Sequence, residues 1–145
     1  MAKSPQEKLA KIMAGAQPHC DEPLETAMIC SRPGAMGAAL LSAIGTEDIS
    51  SRGNDMPPIT ILAVGPSTVY AFKYKPKGFK VKLKSGSEVA RWPRDQLRVE
   101  VGEDGKVTSQ FALVTQEGAT YPFEVTTAMG GKEAYELFLS KLLEQ

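Results

Sequence analysis

From Ile59 to Thr127 the chain is cut into short apolar runs by a turn signal about every ten residues, and that rhythm leaves few folds open. The runs are Ile59–Val64, Thr68–Lys75, Phe79–Lys84, Glu88–Trp92, Leu97–Val101, Lys106–Thr115 and Ala119–Thr127. Between most of them stand Gly65-Pro66-Ser67, Pro76-Lys77-Gly78, Ser85-Gly86-Ser87, Glu103-Asp104-Gly105 and Gln116-Glu117-Gly118. β-branched and aromatic residues bounded in this way predict strands, with Pro and Gly where tight turns need them. The last unit, from about Gly131 to Leu143, puts Tyr135, Phe138, Leu139 and Leu142 on one helical stripe. The expectation is a mainly β protein of six or seven strands capped by one C-terminal helix.

The N-terminal part reads differently. Ser4-Pro5-Gln6-Glu7 is a helix start, with Ser4 as cap, Pro5 at the first helical position and Glu7 completing a capping box. Leu9, Ile12 and Met13 share one face, and Gly15 is expected to close the helix. Gln17 to Pro23 reads as a loop, and Leu24 to Ser31 as a first strand with Met28-Ile29-Cys30 its strongest part. A glycine-rich segment follows, Arg32 to Gly45, and then a polar connector from Thr46 to Pro58. This divides the chain into residues 1–58 (helix, loop and glycine-rich segment) and residues 59–145 (strands and closing helix).

Six lysines fall within Lys73-Tyr74-Lys75-Pro76-Lys77-Gly78-Phe79-Lys80-Val81-Lys82-Leu83-Lys84. Read as a hairpin, this stretch puts Tyr70, Phe72, Tyr74, Phe79, Val81 and Leu83 on one face, since successive strand side chains alternate. Lys73, Lys75, Lys80, Lys82 and Lys84 then crowd the other. Like charges facing each other across paired strands are destabilising, so an anionic partner would relieve a cost. The layout of charge along the chain supports this. Its 17 basic and 17 acidic residues cancel, yet residues 70–98 hold nine basic groups, Arg91, Arg94 and Arg98 among them, against two acids. A segregated positive patch attracts anions where a net charge of zero would not. The plainer alternative is a solvated face whose lysines protect an edge strand from aggregation.

The run from Ile61 to Phe72, ILAVGPSTVYAF, resembles a strand–turn–strand of bacterial pleckstrin-homology-like (PH-like) and GRAM-like domains, where an L-A-V-T-x-x-R-V-Y stretch recurs. Val89 to Val99 is similar to the step into the next strand, and the closing amphipathic helix to the one that plugs that barrel. The resemblance covers roughly residues 59–143; Pro66-Ser67 departs from it, where a polar or basic residue is usual. It implies an antiparallel, partly open barrel that binds lipid headgroups, peptides or proteins. Lys75, Lys77, Lys80, Lys82 and Lys84 resemble in kind the basic motif of phosphoinositide-binding members, without its closing arginine. The glycine-rich segment resembles what precedes such domains in small bacterial proteins with no assigned activity.

Other chemistry finds little support. Gly34-x-x-Gly37 ahead of a short apolar segment has neither the leading glycine of a dinucleotide fingerprint nor the Gly-Lys-Ser/Thr of a phosphate loop. Close packing or self-association through Gly34, Gly37, Ala38, Leu41 and Ile44 fits it better. His19-Cys20-Asp21-Glu22 with Cys30 matches no zinc spacing, and adjacent His19 and Cys20 are poorly disposed as a base–nucleophile pair. Two cysteines are too few for a disulfide framework, and no signal sequence or 20-residue apolar run is seen, so a cytoplasmic location is expected. The expectation is a non-enzymatic binding or scaffold module with no cofactor and no metal. Its anion-binding residues would be Lys73, Lys75, Lys77, Lys80, Lys82 and Lys84 with Arg91 and Arg94, facing an anionic membrane or an acidic protein rather than nucleic acid. The alternative is self-assembly or docking through Gly34–Gly45, including a homo-oligomer.

Overall fold

The computed structural model describes residues 4–32, 57–75, 81–104, 108–127 and 131–144. Helix α1 spans Pro5–Ala16 and is capped as its sequence requires, with the Glu7 amide donating to Ser4 Oγ at 3.2 Å. Gly15 does not end it. The helix continues through Ala16 into a 3-10 turn, Gln17–His19, and Gly15 serves instead for close approach, as shown below.

Seven antiparallel strands follow among the described residues: β1 (Thr26–Ser31), β2 (Ile59–Val64), β3 (Thr68–Lys73), β4 (Glu88–Pro93), β5 (Leu97–Asp104), β6 (Thr108–Thr115) and β7 (Thr120–Thr126). Their order in the sheet is β4-β3-β2-β1-β7-β6-β5. The two edge strands are thus neighbours in sequence, joined by the 3-10 turn Arg94–Gln96. In a flat sheet they would lie six strand spacings apart, about 29 Å. Four residue steps from Pro93 to Leu97 span at most about 14 Å. The sheet therefore curls until its edges meet at this corner, as a partly open barrel. Helix α2 (Gly131–Leu143) closes it with buried Ala134, Tyr135, Phe138 and Leu142.

The core lies on both sides of β1, β2 and β3. Leu62, Val64, Val69 and Ala71 face the barrel interior, where Phe111 stacks on Phe123 at 5.6 Å and meets Phe138 of α2 at 6.1 Å. Ile61, Ala63, Tyr70 and Phe72 point the other way, to a second cluster with Ile12, Ala16, Leu24 and Leu83. Burial on both faces is why Ile61–Val64 of β2 and Val69–Phe72 of β3 read as unbroken apolar runs. It also places β1 at the centre of the sheet, paired along its length with β2 from Thr26↔Val64 to Ser31↔Ile59. The boundary expected at residue 58 therefore falls between two paired strands, and α1 shares both apolar clusters with residues beyond it.

Candidate anion-binding surface

The expected lysine hairpin is not formed. β3 pairs with β4, through Val69↔Trp92, Tyr70↔Arg91 and Ala71↔Ala90, and residues 81–84 are not a strand. Nor is the face opposite Tyr70 and Phe72 a bed of ammonium groups, because Val69 and Ala71 occupy it within the barrel core. What the hairpin reading took for strand alternation in Val81-Lys82-Leu83-Lys84 has another cause. Val81 and Leu83 tuck into the cluster containing Ile12, Ala16, Phe72 and Tyr74, while Lys82 and Lys84 stay exposed.

Gly15 allows this packing. A Cβ there would lie 2.6 Å from both the carbonyl oxygen and Cγ1 of Val81. The chain then reverses at Lys84-Ser85-Gly86-Ser87, where the Ser87 amide donates to the Lys84 carbonyl at 3.2 Å and Gly86 has φ +81°. A positive φ at the third residue is what a type II turn demands of glycine. The Lys73 amide donates to the Ser87 carbonyl at 2.8 Å, so Ser87 ties the end of β3 to Lys84. Two pairs of exposed lysines, Lys73 with Lys75 and Lys82 with Lys84, thus hang from two chain segments joined at one residue. None of the ion pairs among the described residues involves them. Lys77 and Lys80 belong to the same connection by sequence and lie outside the described residues.

The arginines behave otherwise. Arg91 is held by both carboxylate oxygens of Glu88 and by Asp21 at 2.7 Å, and its guanidinium lies 5.1 Å from the Tyr70 ring centroid. The hydrogen bonds to Glu88 and then Asp21 hold it more firmly protonated than usual. Arg94 is buried, pairs with Glu25 at 2.8 Å, and donates to the carbonyls of Gly65 (3.1 Å), Glu144 (2.6 Å) and Lys141. It binds the β4–β5 corner to the β2–β3 turn and to the end of α2, where carbonyls lack helical donors. Both arginines were expected among the anion-binding groups; internal acceptors occupy them. Arg98 pairs with Glu100 at 3.3 Å.

The sequence marks Glu22 only as one of the metal-competent side chains of His19-Cys20-Asp21-Glu22, and the structure gives it a different role. Its carboxylate accepts from Ser67 Oγ (2.6 Å) and from the amides of Ser67 and Thr68 (both 3.0 Å). Partial removal from water works against ionisation, but these three donors outweigh it and lower the pKa. A Cβ on Gly65 would strike Glu22 Oε2, so the glycine leaves room for the carboxylate. The hint in sequence is the turn Gly65-Pro66-Ser67-Thr68, whose Ser67 and Thr68 amides call for an acceptor outside the sheet ladder.

The thiol and imidazole of His19-Cys20 each have other neighbours. His19 sits against Phe72, with ring centroids 6.0 Å apart, and Cys20 donates to the Ala16 carbonyl at 3.3 Å. Burial pushes the Cys20 thiol up to about 12, with Glu88 and Asp21 adding to the effect, so it is protonated at neutral pH. Cys30 is buried, which raises its pKa as well. Among the described residues no group of three His, Cys, Asp or Glu side chains is placed to hold a metal ion, and no helix is long and apolar enough to cross a membrane. A cavity of about 230 Å³ at the β4–β5 corner is lined by Trp92, Gln96, Leu97, Gln116 and Tyr121. Gly34, Gly37, Leu41 and Ile44 lie outside the described residues. In comparisons with known proteins the chain matches no family model, no curated protein and no solved structure.

Proposed function

We propose that this chain is a PH-like, non-enzymatic binding module that docks on an anionic lipid surface through Lys73, Lys75, Lys82 and Lys84, working peripherally at the cytoplasmic face of a membrane. One observation carries the reading. Four exposed lysines converge on the β3–β4 connection without a carboxylate partner among the described residues, whereas Arg91, Arg94 and Arg98 are all paired internally. The strand order and the closing helix support the PH-like part of the proposal, and the raised pKa of Cys20 speaks against that thiol as a nucleophile.

Lysine suits such docking because a compact ammonium on a long stem needs no fixed geometry to meet phosphate-bearing headgroups. Near an anionic leaflet each cation contributes about 1 kcal/mol, so four give about 4 kcal/mol, near a thousand-fold preference over a neutral surface. Lys82→Glu with Lys84→Glu brings the four-lysine patch to zero net charge, and these side chains are exposed, so the fold should tolerate the change. The double variant is expected to lose binding to phosphatidylserine-containing vesicles while melting as the parent does. Binding retained by a folded double variant would overturn the proposal; capture of an acidic protein instead of vesicles would replace its partner.

A further inference from the structure

Beyond the corner that joins them, β4 and β5 each have one side without a strand partner among the described residues, and the two edges are unlike. β4 ends in Pro93, which has no amide to donate, and its ladder with β3 shifts register between Ala71 and Phe72. Proline and bulges blunt an edge against further pairing. β5 carries neither over Leu97–Val101, where its ladder with β6 runs regularly from Leu97↔Thr115 to Val101↔Phe111. Its other side has no strand partner among the described residues. Moreover the inward-facing row becomes less covered along the strand: Leu97 is 8% exposed, Val99 half-buried, and Val101 51% exposed. On the opposite face Arg98 and Glu100 stand out into solvent.

We infer that β5 is a self-pairing edge, and that a second copy of this chain docks there about a two-fold axis through Val99. An isologous interface requires the same segment to complement itself when run antiparallel, and Leu97-Arg98-Val99-Glu100-Val101 does. Centred on Val99, the register sets Arg98 opposite Glu100 of the second copy and Glu100 opposite its Arg98. It also sets Val99 against Val99, and exposed Val101 against Leu97. A shift of one step to centre on Glu100 would oppose two glutamates, which destabilises a strand pair. Main-chain hydrogen bonds supply the attraction in such strand addition, and side-chain pairing fixes the register. The dimer would present two lysine surfaces, though the pairing does not depend on the lysines.

Charge exchange tests this directly, because Arg98 and Glu100 are exposed and their replacement spares the core. The parent protein should show a mass that rises towards a dimer with concentration in sedimentation equilibrium. Arg98→Glu alone sets glutamate against glutamate twice and Glu100→Arg alone sets arginine against arginine twice. Each is expected to stay monomeric where the parent associates. Mixing the two single variants should yield a one-to-one mixed dimer, and the doubly exchanged Arg98→Glu/Glu100→Arg chain should associate again. A parent that is monomeric at every concentration would overturn the inference. So would association that both single variants retain, which would place the interface elsewhere.

Discussion

Arg94 joins the β4–β5 corner to the β2–β3 turn and to the end of α2, and the cost of its loss can be worked through its partners. In Arg94→Ala the Glu25 carboxylate, a third exposed, turns to water, so the broken ion pair itself costs no more than about 1 kcal/mol. The Gly65 carbonyl accepts from Arg94 in a buried setting, and leaving it without a donor costs about 1–3 kcal/mol. The carbonyls of Lys141 and Glu144 belong to exposed residues and their bonds to Arg94 are only partly buried, so the loss of a cation at the helix end costs about 1 kcal/mol. Together these come to about 3 kcal/mol. A chain of 145 residues has an unfolding entropy near 0.3 kcal/mol/K, so Tm should fall by about 10 °C. Arg94→Met, which keeps the apolar stem, should fall less than Arg94→Ala. Thermal unfolding followed by circular dichroism reads both. A drop below about 3 °C for Arg94→Ala would refute the claim that this guanidinium joins the corner to the helix.

Gly15→Ala should destabilise the fold by about 1–3 kcal/mol although alanine is the better helix former, because the new methyl meets Val81; a rise in Tm would contradict the packing that positions Lys82 and Lys84. Glu22→Gln should lower Tm at neutral pH. Since the native carboxyl titrates below its ordinary 4.5, its contribution is present above that pH and lost as pH falls through the native pKa. The gap between variant and parent should therefore close in acid, and a gap that widened there would reverse the sign of the argument. Cys20 should react with a disulfide reagent at pH 8 more slowly in the native protein than in the unfolded chain, since its thiolate is suppressed; faster reaction would restore a nucleophilic role.

Most elements were legible because each carries its own punctuation, although the strand expected over Phe79–Lys84 is not formed at residues 81–84. Ser4 and Pro5 mark the start of α1, Gly65-Pro66 separates β2 from β3, and the 3.6-residue spacing of Tyr135, Phe138 and Leu142 defines α2. Pairing was not legible, since a strand's partner is fixed by contacts distant in sequence. Val81 and Leu83 alternate with lysines whether they face a strand or a helix, and their neighbours, Ile12, Gly15 and Ala16, lie some 65 residues away. The same distance misled the reading of the arginines. Nothing around Arg91 and Arg94 reveals that Asp21 and Glu25, about 70 residues earlier, receive them. The role of Glu22 is hidden in the sequence for the same reason: its donors belong to Ser67 and Thr68. The lysines Lys73, Lys75, Lys82 and Lys84 kept their exposure, because an unpaired ammonium on a long stem goes to water in either arrangement.

The central claim, that the lysine surface meets an anionic membrane, is tested most directly by co-sedimentation of the parent protein with vesicles of phosphatidylcholine alone and of phosphatidylcholine with phosphatidylserine, across a salt series. Screening shortens from about 10 Å at 0.1 M to about 3 Å at 1 M salt. The account predicts binding to the anionic vesicles alone, strongest at low salt and lost as salt rises. No binding at low salt, or equal binding to neutral vesicles, would contradict it.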